Sequence, residues 1–191
     1  MSDVPEIECP ACNGEGEIEA PFQNQCTSIV AECPPDPVMV DCEDCDGKGW
    51  RPMTDFLQLA ARVERGEIKA LSIKQPYPHH IFHDGKDVEN RDWPTKGRGW
   101  FIVHAGVSKT ELDMDDPTEA AMPRGGVVGM ARIVDCVEQM DSRWFYGRYG
   151  FVLADAFPLP LVACRGQLGF FNLEPDTLRA VAQHIRERAN G

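Results

Sequence analysis

The stretch "LSIKQPYPHHIFHDGKDVENRDWPTKGRG", residues 71–99, decides how the rest of the chain is read. It opens on an apolar run, passes two prolines, crosses a histidine-rich segment and reaches Gly85. Prolines suit the first turn of a helix and glycine its end, so "QPYPHHIFHDG" predicts a short helix between two strands. In the "DVENRDW" that follows, side chains alternate across the strand, so residues 87, 89, 91 and 93 share one face. Glu89 and Arg91 are then neighbours, Trp93 extends their surface, and Lys86 stands at the turn, able to point into the mouth of the fold.

Working outward, "KALSI", "DVENRDW", "WFIVHAG", "VVGMARIVDCV", "FVLADAF" and "LGFFNL" all read as strands separated by Gly, Pro or Asp turns. Six strands with so little helix between them predict an α+β, mostly β fold, a small barrel whose mouth the short helix crosses. Upstream, "TDFLQLAARVERGE" puts Phe56, Leu59, Ala60 and Val63 on one helical face, with Thr54 to cap it and Gly66 to end it. Downstream, "PDTLRAVAQHIRER" predicts a terminal helix with Leu178, Val181, Ala182 and Ile185 inward. Trp100 and Phe101 read as packing residues, and His104 as core or pocket wall. His79, His80 and His83 read as capping or solvent-facing groups.

The 71–99 stretch closely resembles the signature of ASCH domains, small β-barrels of the PUA-like superfamily. The resemblance continues through "GGVVGMARIVDCV", "WFYGRYGFVLADAFPLP" and "RGQLGFFNL" in the expected order, covering about residues 69–173. The family motif G-x-K-x-x-E-x-R is matched by Lys86, Glu89 and Arg91, with Asp84 in place of its glycine and Gly85 one step later. The resemblance implies a nucleotide-like ligand, since such domains are associated with RNA and modified bases. Some members look like nucleases or amidohydrolases acting on modified cytidine. The amidohydrolase-like members carry a threonine three residues after the lysine, where this chain has Glu89. Arg165 in "CRG" resembles the Arg-Gly step of the family's late strand and could reach a phosphate, whereas Cys164 after an apolar run reads as buried and inert.

An amine, a carboxylate, a guanidinium and flat rings are what a nucleobase pocket needs: a plane to stack on, donors and acceptors for the base edge, and a cation for phosphate. Tyr77, Trp93 and Trp144 are the candidate stackers; Lys74, Gln75, Lys86, Glu89, Arg91, Arg98 and Arg165 complete the expected ligand-binding set. The leading expectation is a module that binds RNA, single-stranded nucleic acid or a modified nucleoside. A metal-independent hydrolase, of ribonuclease or acyl-cytidine amidohydrolase type, is the alternative, with Lys86 as base and Glu89 or Tyr77 assisting. The same residues also admit a plainer reading, in which Glu89 and Arg91 form a structural ion pair closing the barrel mouth. The acidic segment "KTELDMDDPTEAAMPRGG" reads as a solvated loop.

At the other end of the chain, "CPACNGEG" at 9–16 and "CEDCDGKGW" at 42–50 repeat one device, C-x-x-C-x-G-x-G. Two thiolates two residues apart can hold one Zn²⁺ from a single turn, glycines let backbone amides approach the sulfurs, and two such knuckles complete a tetrahedron. Free or redox cysteines are the competing reading. The pair resembles the cysteine-rich module of DnaJ-type chaperones, which carries four such motifs and two zinc ions. The resemblance implies one structural Zn²⁺ here, held by Cys9, Cys12, Cys42 and Cys45. Cys26 and Cys33 are expected to be bystanders. A zinc module could also bind a protein partner, with the barrel as scaffold only.

Composition limits the partners. The formal charge is −12, but residues 1–69 hold 15 acids against 5 Lys/Arg, leaving 16 against 14 in the remainder. An acidic protein is a poor coat for long nucleic acid, though a local basic pocket is compatible with it. No apolar run spans a bilayer, and "MSDVPEIECP" has no secretion-signal pattern, so the expected location is the cytoplasm, away from membranes. The expected organisation is a zinc-binding module at 1–52, a linking helix at 53–67, the barrel at 68–174 and a C-terminal helix at 175–191.

Overall fold

The computed structural model describes residues 54–189 together with 6–8, 15, 17–19, 39–41 and 50–52. The chain divides into two units, Met1–Gln58 with Arg188–Gly191, and Leu59–Glu187. Among the described residues no helix is long and apolar enough to cross a membrane.

In the first unit four short strands form two antiparallel ladders. β1 (Glu6–Glu8) pairs with β4 (Trp50–Pro52), and β2 (Glu17–Glu19) with β3 (Met39–Asp41). The register sets Glu8 opposite Trp50 and Glu17 opposite Asp41. Cys9, Cys12, Cys42 and Cys45, like Cys26 and Cys33, lie outside the described residues.

Helix α1 (Thr54–Glu64) forms where the apolar period predicts it, with Phe56, Leu59, Ala60 and Val63 all buried and Gly66 just beyond it at φ +71°. All six expected strands occur, in one sheet. They are β5 (Ala70–Ile73), β6 (Val88–Arg91), β7 (Gly99–Ala105), β8 (Gly126–Val137), β9 (Tyr149–Ala163) and β10 (Phe170–Phe171). Their order is β10-β5-β7-β8-β9-β6, with β5 and β7 parallel and every other pair antiparallel. The chain is thus α+β, mostly strand, with helices flanking the sheet.

The sheet is strongly curled. β5 and β6 are four strand spacings apart in the ladder, roughly 19 Å if the sheet were flat. Yet the Arg91 Nη2 on β6 donates to the Ser72 carbonyl on β5 at 2.8 Å. Likewise Phe170 on β10 stacks on Phe151 of β9, with ring centroids 6.3 Å apart and planes 7° from parallel. Register shifts within β7/β8 and β8/β9 mark the bulges that let long strands bend this far. The ladder itself stays open, its edges being β10 and β6. Arg91 bridges the gap where β10, pairing only Leu71 and Ala70, has left Ser72 behind.

Inside the curl lies the core, including Leu71, Ile73, Phe101, Val103, Val128, Ile133, Phe151 and Leu153. Strand β9 runs past the predicted end at Phe157 through "PLPLVA". Those prolines are tolerated because β6 pairs only Tyr149–Val152 and the bond that continues this side, from the Leu153 amide to the Asp87 carbonyl at 2.8 Å, stops short of Pro158. Helix α2 (Tyr77–His83) follows β5, α3 (Pro117–Ala120) lies in the acidic segment, and α4 (Pro175–Ala189) buries Leu178, Val181, Ala182 and Ile185 as its period requires.

Candidate functional site

Gly85, at φ +66°, makes the turn between α2 and β6 that few other residues could adopt. Both the Asp84 and the Lys86 amides donate to the His80 carbonyl, so the turn closes tightly under the helix end. This folds Lys86 inward. Lys86 is 3% exposed, and its Nζ donates to the Val88 carbonyl, its one hydrogen-bond partner among the described residues. The Nζ lies 5.6 Å from the centroid of the Tyr77 ring and 5.8 Å from that of Trp144, within cation–π range of both. Burial holds the amine below its ordinary pKa, against the opposing pull of Glu89 and Asp87.

Glu89 is 6% exposed and pairs with Arg91, whose Nη2 lies 3.0 Å from its Oε1. Burial pushes the Glu89 carboxyl up, while Arg91 and then Lys86 pull it down. The Arg91 Nε is buried without a hydrogen-bond partner, so this side chain retains a donor. The ion pair anticipated from β-strand alternation is therefore present, and it sits beside the buried amine.

The aromatic surroundings are richer than the sequence suggested. Tyr146 lies 6.4 Å from Tyr77 between ring centroids. Partial burial, followed by a side-chain hydrogen bond with Tyr77, raises its phenol well above the ordinary range. The His80 ring lies 4.9 Å from Trp144 and tilted by 31°, held by a 2.7 Å contact from Nδ1 to Asp84 Oδ2, and Arg143 lies over the same indole at 4.7 Å. Tyr146 and His80 escaped notice because no local spacing ties residue 146 to the Lys86 turn and His80 reads as a capping or solvent-facing group.

Tyr77, Lys86, Glu89, Arg91 and Trp144 are thus brought together, whereas the other expected ligand residues have separate environments. Trp93 packs edge-on against Phe151 and Phe170, at 5.1 and 5.7 Å, as part of the core surround. Gln75 is buried, donating to the Pro123 carbonyl at 2.8 Å and accepting from the His79 amide at 3.3 Å. Lys74 lies 3.8 Å from Glu111. Arg98 pairs with Asp135 at 2.6 Å on the exposed surface, and Arg165 is exposed in the segment after β9. His104 resolves as core: it is 1% exposed, with Nδ1 3.2 Å from Ser72 Oγ and Nε2 3.2 Å from the Cys164 carbonyl.

Among the described residues no group of three or more His, Cys, Asp or Glu side chains could hold a metal ion. The cysteine segments 9–16 and 42–49 are flanked by described strands, however. One segment begins after Glu8 and the other ends before Trp50, which pair; one ends before Glu17 and the other begins after Asp41, which also pair. Paired residues lie about 5 Å apart, so Glu8 stands beside Trp50 and Glu17 beside Asp41. No protein-family model matches the chain, and no curated protein matches it.

Proposed function

We propose that the second unit is a PUA-like, ASCH-type domain that binds a single-stranded nucleic acid, RNA above all, or a modified nucleoside. The observation that carries this reading is the buried Lys86 amine between the Tyr77 and Trp144 rings, with the Glu89–Arg91 pair next to it. Flat rings offer stacking worth about 1–3 kcal/mol per base. The amine and the spare Arg91 Nε–H can donate to base or phosphate acceptors, and Glu89 can accept from an amino group. Burial strengthens each of these contacts by excluding water.

A hydrolase is the second reading, favoured by one observation: burial lowers the Lys86 pKa, which moves the amine toward service as a general base. For the first unit we propose one structural Zn²⁺ on Cys9, Cys12, Cys42 and Cys45. The support is the matched spacing and the two ladders that flank both cysteine segments. Four thiolates would close the coordination sphere, so the ion would stabilise the module without an open position for chemistry.

The test is a thermal-shift and turnover screen of protein expressed with zinc, against modified nucleosides and short single-stranded RNAs, with Lys86→Ala in parallel. Stabilisation that the variant loses supports the binding reading. Product formation that the variant loses makes the protein a hydrolase. Equal binding by wild type and Lys86→Ala would sink the binding reading, and absence of turnover by wild type, or turnover that the variant keeps, would sink the hydrolase.

A further inference from the structure

The segment 138–148, between β8 and β9, carries both Trp144 and Tyr146, and a connection of that length has no ladder to hold its side chains in place. It is tied instead to the strand that bears Glu89. The Asn90 Nδ2 donates to the Trp144 carbonyl and the Tyr146 amide donates to the Asn90 Oδ1, each at 2.9 Å. A carbonyl only accepts and a backbone amide only donates, so this pair of contacts also fixes which way the Asn90 amide faces. Two residues before Trp144, Ser142 Oγ donates to Asp87 Oδ1 at 2.6 Å, and the Trp144 amide donates back to Ser142 Oγ at 3.2 Å.

Asn90 therefore does for the loop what a neighbouring strand would do, satisfying one carbonyl and one amide through a single side chain. It lies between Glu89 and Arg91 in sequence, on the opposite face of β6, and leaves the polar pair untouched. We infer that Asn90 is the positioning residue of the aromatic wall: by clasping the backbone at residues 144 and 146 it sets the distance of Trp144 and Tyr146 from Lys86, and so the affinity for flat ring ligands. The affinity half of this inference rests on the binding reading above; the clasp itself does not.

Two variants and two readouts separate these parts. Asn90→Ala removes both contacts, while Asn90→Asp keeps the acceptor for the Tyr146 amide and loses the donor to the Trp144 carbonyl. Hydrogen exchange of the 138–148 segment should quicken about tenfold in Asn90→Ala and less in Asn90→Asp, with β7 and β8 unchanged. Affinity for short oligouridine and oligoadenine, followed by fluorescence anisotropy, should fall about tenfold in Asn90→Ala, with Asn90→Asp between it and wild type. Unchanged exchange overturns the clasp, and faster exchange with unchanged affinity overturns its role in binding. If wild type binds neither oligonucleotide the single-stranded nucleic-acid reading fails, and exchange alone then decides whether Asn90 holds the wall.

Discussion

His104 and Lys86 are both buried polar side chains of the second unit, 1% and 3% exposed, and the surrounding structure treats them in opposite ways. Each nitrogen of His104 has a partner. The Cys164 carbonyl can only accept, so in the neutral ring Nε2 carries the hydrogen and Nδ1 accepts from Ser72 Oγ. The fit is close enough that a Cβ on Gly166 would come within 2.5 Å of the imidazole and 2.7 Å of the Ser72 hydroxyl. Lys86 has three N–H donors and, among the described residues, one oxygen to receive them, with ring faces nearby. A satisfied buried group stabilises a fold; an under-satisfied one costs stability and marks a place where function outweighs packing.

Arg91 connects the two regions and is where the contrast breaks most severely. It donates to the carbonyl of Ser72, the residue whose hydroxyl meets His104, and it pairs with Glu89 beside Lys86. Arg91→Met should cost about 3 kcal/mol in urea unfolding at neutral pH, because a buried carboxylate loses its counter-charge and the curl loses its bridge. The loss should depend on pH with a definite sign. Burial already raises the Glu89 pKa above its ordinary 4.5, and removing the guanidinium raises it further. The folded variant then holds a proton that the unfolded chain releases, so its stability recovers as pH falls from that raised pKa toward 4.5. A deficit that stays constant with pH would mean that Arg91 acts through packing alone.

The next largest effect belongs to the satisfied centre. His104→Leu leaves the half-buried Ser72 hydroxyl and Cys164 carbonyl without their partner and should cost about 2 kcal/mol. Because the imidazole is not part of the ring cluster around Lys86, the folded fraction should retain wild-type affinity for any ligand of that cluster. Weakened binding without lost stability would move His104 from the core to the site.

The sheet was largely legible in the sequence, since two-residue alternation and Gly/Pro punctuation place all six strands in order. A curled sheet was expected with the barrel, but its open ladder and the places where it bends were not, because these depend on bulges between distant strands and on one arginine reaching a carbonyl 19 residues away in the chain. Within the site, Glu89 next to Arg91 follows from strand geometry, and Lys86 follows from the turn. Trp144 could be suspected from its chemistry, yet its approach to Lys86 depends on Asn90 holding a loop 54 residues downstream. Trp93 shows the converse: alternation puts it on the face of Glu89, but curvature presses it against Phe151 and Phe170 in the core surround. Chemistry-bearing residues can be named from sequence, whereas which of them share a pocket is set by contacts that no local pattern encodes.

Lys86→Met offers the finest test because two opposing terms nearly cancel. The substitution removes a desolvated ammonium and leaves the Val88 carbonyl without its partner, so stability at pH 7 should change by less than about 1 kcal/mol while ligand affinity is lost. The pH dependence separates the terms. The folded amine titrates below the 10.5 of an unperturbed lysine, so over the window between those values the unfolded chain binds the extra proton. Wild-type stability must then rise relative to Lys86→Met as pH climbs through the lowered pKa toward 10.5, since folding no longer buries a charge there. Parallel stability curves for the two proteins across that window would mean that Lys86 is solvated as well as His104 is satisfied, and the distinction between the two buried centres would disappear.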